Sequence, residues 1–200
     1  MTTPDDLRAA LSAATAALST VDDWTAPAGT LSWTRWETAE HLASDLLYYA
    51  TQLATGERSL GQPTAYDQLA RPGSDCAQMV ALKPETGTPG VLRAIGGGGV
   101  LLLAILAATT PATRARHPWG DGDPGGFTAM AIVELLLHAW DIAGAVDAPV
   151  GVTARALARL FPGAPADADP WAALLWSTGR GELAGRARVA KWRWFAEVRD

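Results

Sequence analysis

The chain has 200 residues, 48% of them hydrophobic and 18% charged, enough for one ordinary domain with a sizeable core and a small appendage. A formal net charge of −5, with Lys and Arg scattered apart from a few near the C-terminus, leaves no basic field to hold a polyanion and argues against nucleic acid as a partner. The single cysteine, Cys76, excludes an internal disulfide framework and a multi-cysteine metal site, and a cytoplasmic protein is expected.

The N-terminal stretch MTTPDDLRAALSAATAAL carries Asp5 and Asp6 early and has no basic start followed by an apolar run, so it does not read as a secretory signal. Thr3 or Asp5 can cap a first helix running to about Thr20, with Leu7, Leu11, Ala14 and Leu18 on one face. After the connecting loop TAPAGTLSW, a second helix is predicted from Thr34 to Thr55, stopping near Gly56. Its apolar stripe is Leu42, Leu46, Tyr49 and Leu53. His41, Asp45 and Tyr48 lie about a quarter turn from that stripe, at the edge of a core, where they can line a pocket. Trp24, Trp33 and Trp36 are expected to anchor the start of this helix rather than to line a ligand cage.

Residues 56–90 are rich in Gly, Pro, Ser and Asp and form a long crossover. A third helix over 91–109 holds the most apolar stretch, AIGGGGVLLLAILAA. It is short of the roughly 18 to 20 residues needed to span a bilayer, so a buried helix is expected rather than a membrane segment. Gly96 to Gly99 mark a start, a kink or a close helix contact there. The loop PATRARHPWGDGDPGG follows, and its His117 is expected at the surface rather than on a metal. A fourth helix is predicted from Phe127 to Val146, then a short fifth helix, TARALARLF, and the break PGAPADADP. The remaining tail can form one helix and then an alternating segment, Val189 to Phe195, predicted as a strand whose Trp192 and Trp194 cap the core.

The predicted architecture is all-α: a four-helix bundle with a long crossover connection over residues 1–161, with residues 162–200 as a linker and short C-terminal segment packing on it. Within the fourth helix, VELLLHAWDIAGA places Glu134, His138 and Asp141 on one line, because positions three and four apart are neighbours on a helix surface. Burying such a polar seam is costly unless its members pair or bind a metal. Glu134 and His138 are an i, i+4 pair able to converge on one cation, and His41 holds a comparable edge on another predicted helix. Two imidazoles and a carboxylate suit a catalytic Zn²⁺ with one open position, and also non-haem Fe(II). From spacing alone, a hydrogen-bonded core pair of Glu134 and His138, with His41 an unrelated surface residue, is the preferred account. Asp141 can orient an imidazole or serve helix packing, Asp45 has the same choice beside His41, and Cys76 lacks any partner motif. Arg180, in STGRGE, can pair with an acidic group on a substrate or sit in a solvated turn.

WTRWETAEHLASDL, followed much later by PWGDGDPGGFTAMAIVELLLHAWDIAGAVDAP and then LLWSTGRGE, resembles the mycothiol-dependent maleylpyruvate isomerase family, a branch of the DinB-like helical bundles. The resemblance covers nearly the whole chain. It implies a DinB-like four-helix bundle with a divalent metal, usually zinc, on His41 from the second helix and on Glu134 and His138 from the fourth. It further implies a transferase or isomerase acting on a small electrophilic substrate, with mycothiol as the low-molecular-weight thiol cosubstrate activated as thiolate, and neither nucleic acid nor membrane as a partner. The pattern departs at the C-terminus, where the full isomerases carry a larger domain than residues 171–200 provide here. From the residues alone, a non-catalytic metal-binding or ligand-sensing bundle and a metal-dependent hydrolase stand beside that reading.

Overall fold

The computed structural model describes residues 1–62 and 65–198; Pro63, Thr64, Arg199 and Asp200 lie outside it. Among the described residues there are six α-helices and no strand. Helix α1 (Pro4–Leu18) opens on a reciprocal cap in which Thr3 Oγ1 accepts from the Asp6 N–H while the Asp6 carboxylate accepts from the Thr3 N–H. Helix α2 (Arg35–Thr55) repeats the device with Thr34 and Glu37 and stops at Gly56, whose φ of 59° is in the range that favours glycine. Helix α3 (Gly87–Ala107) begins four residues before the expected start. Helix α4 (Pro124–Ala143) is capped by Asp123 and ends at the left-handed Gly144. Helices α5 (Val150–Leu160) and α6 (Pro170–Ser177) follow.

Helix α1 packs on α3 and α4, and α2 packs on the same two, so the four close into a bundle; α5 lies on α4, and α6 on α5. The α3 glycines are resolved as close contacts: a Cβ at Gly98 would sit 3.1 Å from the Leu46 Cβ, and one at Gly99 only 2.6 Å from a Leu11 methyl. Both α3, extended back to Pro84, and α4 are long and apolar enough to cross a membrane. Helix α4 is the buried core helix of the bundle, while α3 buries Val91, Ile95, Leu102 and Leu106 and exposes Val100 and Leu101.

The crossover between α2 and α3 is fastened to α2 through Glu40, which is fully buried. Its carboxylate accepts from Trp36 Nε1 at 3.0 Å, Arg71 Nε at 2.9 Å and the Leu82 N–H at 2.8 Å. Charge-assisted bonds of this kind are roughly twice as strong as neutral ones, so one buried carboxylate fixes the middle of the connection and its approach to α3. Further along, Met79 donates its N–H to Ser44 Oγ, which brings Ala77 over the first half of α2.

The strand predicted over Val189 to Phe195 does not form. The segment alternates as the sequence suggested, with Trp192, Trp194 and Ala196 facing inward and Lys191, Arg193 and Phe195 outward. Among the described residues it finds no neighbouring strand: an isolated bridge joins Gly122 to Glu197, and the Phe195 N–H donates to the Leu160 carbonyl. Alternation reported burial correctly, and the missing ladder is why the segment is not a strand.

Candidate metal centre

Glu134 and His138 project from α4 one turn apart, and packing of α2 on α4 brings His41 to them. One ligand atom from each of the three lies within 4.8 Å of the others. His138 Nε2 is 2.8 Å from Glu134 Oε2, and the two imidazole rings stand perpendicular with centroids 5.3 Å apart. Asp45, one turn beyond His41, has Oδ2 3.2 Å from His41 Nε2.

The opposite nitrogen of each imidazole is held from behind. His41 Nδ1 lies 2.8 Å from the Ala77 carbonyl, and His138 Nδ1 lies 3.1 Å from Asp141 Oδ2. A carbonyl and a carboxylate can only accept, so both Nδ1 atoms carry hydrogen and Nε2 of each ring faces the cluster; His138 Nε2, which donates to Glu134, would give up that proton to hold a cation. That arrangement is the usual support for metal-bound imidazoles. Asp141 is fixed in turn by Arg180, whose Nε and Nη2 donate to its carboxylate at 2.8 to 3.1 Å. A polypeptide turn at Gly29, with φ of 53°, packs directly on Asp141.

Charge follows burial and pairing. Burial pushes the His138 imidazole down, but Glu134 and Asp141 outweigh it and raise its pKa to about 9. Burial would lift Glu134 and Asp141, yet the neighbouring His138 and Arg180 hold both below the ordinary carboxylate range. Asp45 goes the other way, raised to about 7 by burial and by Glu134 against the pull of His41 and His138. Two imidazoles oriented from behind and one carboxylate, all competing with protons, are a donor set that fits a divalent cation.

The cluster opens onto a cavity of about 480 Å³. Trp33 covers the imidazoles, its ring centroid 4.9 Å from His41 and 6.2 Å from His138. Trp119, Trp192 and Trp194 form the rest of an aromatic lining, with Trp119 and Trp194 5.1 Å apart. Tyr49, His117 and Arg180 supply polar groups to it. Among the described residues, Arg180 Nη1 makes no hydrogen bond, so one edge of this guanidinium stays available to the cavity.

A family model described as the mycothiol maleylpyruvate isomerase N-terminal domain matches residues 5–143. The chain belongs to that family. No curated protein and no solved structure matches it. The six helices are accordingly those of a DinB-like bundle, and His41, Glu134 and His138 all lie inside the span shared with this mycothiol-related family.

Several residues are placed differently from expectation. His117, expected at the surface, is 8% exposed and lines the cavity, because its loop folds inward against Tyr49, Phe127 and Trp194. Trp33, expected only to anchor α2, lies over both imidazoles, although its Nε1 also ties the loop down by donating to Asp75 at 2.8 Å. Trp192 and Trp194 line the same cavity as well as covering the core. Cys76 is the inert thiol expected of it: it is buried, and burial with nearby carboxylates lifts its pKa to about 12. The missed residues come from loops, where no periodic signal reports burial; the Pro118-Trp119-Gly120 stretch was the one sequence feature that pointed to that loop.

Proposed function

We propose that His41, Glu134 and His138 hold one divalent cation, zinc, and that the protein is a thiol-dependent transferase or isomerase presenting mycothiol to a small electrophile. The observation that supports this reading is the orientation of the two imidazoles, each held through Nδ1, with one ligand atom of His41, Glu134 and His138 within 4.8 Å of the others at the edge of a cavity. When bound, a dication held by two neutral imidazoles and one carboxylate keeps a net positive charge, which lets a thiol ionise to its nucleophilic thiolate at neutral pH.

The chain's own groups do the remaining work. Asp45 lines the cavity beside His41 and accepts the proton of an entering thiol. Arg180 Nη1 takes an anionic group on the electrophile while its other edge keeps Asp141, and through it His138, in place. The tryptophan lining excludes water, so the thiolate meets the electrophile rather than solvent. In this reading residues 1–161 form the bundle that carries the cation, and residues 162–200 close the cavity with Arg180, Trp192 and Trp194.

Elemental analysis of the purified protein should give one divalent metal per chain, most of it lost in His138→Ala with helicity retained. The cobalt-substituted protein should then develop a thiolate charge-transfer band on addition of mycothiol. No metal after reconstitution overturns the cation assignment. A cobalt form that shows no band at saturating mycothiol overturns the thiol reading and leaves a hydrolase or a non-catalytic binding bundle ahead.

A further inference from the structure

Helix α3 packs on α1 and α2 along its inner side, yet its outward side has the composition of a core. Of the most apolar stretch of each helix, 89% is buried in α4 but only 39% in α3. Val100 is 62% exposed and Leu101 42%, with Gly97 and Ala104 exposed one turn to either side. Between Arg93 and Arg114 the chain carries no charged residue. A surface helix of a bundle ordinarily turns charge outward, so a strip of this kind marks a contact surface.

The four glycines of α3 fall into two pairs. Gly98 and Gly99 face Leu46 and Leu11 inside the bundle, where a Cβ would crowd its neighbour. A Cβ at Gly96 or Gly97 would meet nothing within 4 Å among the described residues. Glycine weakens a helix relative to alanine, and no described contact within the chain offsets that loss at Gly96 and Gly97. Close approach of another backbone would offset it.

We infer that the outward face of α3 is the contact between two copies of this chain, the two helices packed antiparallel about a two-fold axis at Val100 and Leu101. The charge pattern selects this occupant. Arg93 is exposed and makes no ion pair among the described residues. At the other end α3 stops at Ala108 with no basic residue in its last turn, which leaves the negative end of its dipole uncompensated. Arg93 and Ala108 lie equally far along the chain from the midpoint of Val100 and Leu101, so the two-fold sets each Arg93 beside the C-terminal end of the other α3. The same operation sets Gly97 opposite Ala104, two small residues that let the backbones approach. A lipid surface fits less well, because an interfacial helix carries several cations beside its apolar face and Arg93 is the one cation of α3. The strip from Arg93 to Ala108 is about 22 Å long and about 10 Å wide. That is small against the roughly 800 Å² per partner of a standard interface, so the two copies exchange with single chains at micromolar concentration.

Sedimentation velocity of the full chain across the micromolar range should show single chains giving way to a two-chain species as concentration rises. Val100→Glu brings two carboxylates together at the axis and should leave single chains throughout, with helicity retained because Val100 faces solvent in the isolated chain. Arg93→Glu should weaken association by about tenfold, since the symmetry repeats the lost contact at both ends. A short bismaleimide reports the direction of packing, and Cys76, being buried, does not compete for it. Leu101→Cys should be cross-linked to its own copy, whereas Ala104→Cys should not, because the two copies of that position lie about 10 Å apart along the axis. Single chains at every concentration, or a two-chain species that Val100→Glu leaves intact, overturn the proposal. Cross-linking of Ala104→Cys instead of Leu101→Cys overturns the antiparallel arrangement. Single chains that co-sediment with anionic phospholipid vesicles, and no longer do so in Val100→Glu, also overturn it and assign the face to lipid.

Discussion

Arg180 clasps Asp141 with three contacts of 2.8 to 3.1 Å, and the same carboxylate lies 3.1 Å from His138 Nδ1. A residue of the C-terminal segment therefore sets the orientation of an imidazole in the bundle. Because Asp141 acts through His138 and Glu134 faces the cluster directly, their substitutions should differ. Asp141→Asn should weaken metal binding by about 10- to 100-fold, the range for partners that orient a ligand. Glu134→Gln should weaken it further. Competitive titration with a chelator decides, and an equal or larger loss for Asp141→Asn means that the carboxylate roles are reversed.

Gly29 supplies a second route to the same residue. Its φ of 53° is in the left-handed region, and an added Cβ would stand 3.3 Å from Asp141 Oδ1. Gly29→Ala should cost about 1 to 2 kcal/mol of stability from backbone strain alone, read by urea denaturation. Displacement of Asp141 should also lower metal affinity. A variant with wild-type stability would show that the turn relaxes freely.

Helix α4 shows what could be read from the sequence and why. Glu134, His138 and Asp141 are spaced so that helical pitch alone aligns them, and the apolar residues around them announced that the line would be buried. His41 was legible as an edge position on α2, but its meeting with α4 depended on which helices pack together, and pitch does not report that. Arg180 and His117 were harder still. Each sits outside a long periodic element, and its burial follows from where the bundle and the terminal segment close over it. Tyr49 was assigned to the apolar stripe of α2, correctly for its ring, and that assignment concealed a hydroxyl facing the cavity.

Among the described residues the Tyr49 hydroxyl makes no hydrogen bond and opens onto the cavity, which has a consequence for stability. Removing one partner of a buried hydrogen bond is destabilising, whereas removing a group that has no partner is not. Tyr49→Phe should therefore unfold at the same temperature as the wild type or slightly higher. Differential scanning calorimetry checks this, and a fall of several degrees would mean that the hydroxyl is paired in solution.

His117 should make the protein acid-sensitive in a defined window. Its pKa is about 4 in the folded protein against 6.5 ordinarily, because burial disfavours the charged ring. Between those values the unfolded chain binds the proton and the folded one does not, so protonation favours unfolding. The contribution is complete above pH 6.5, declines as pH falls, and is lost once pH passes below the folded value. Its full size is about 3 kcal/mol, from a shift of roughly two and a half units at 1.36 kcal/mol each. Asp45 and His138 also titrate with shifted pKa values, so the difference between wild type and His117→Phe is the quantity to measure. Urea unfolding of both proteins at intervals from pH 7.5 to 4.5 should show the wild type losing more stability than the variant, most steeply below pH 6.5. If the two lose stability in parallel, His117 is not held neutral by burial.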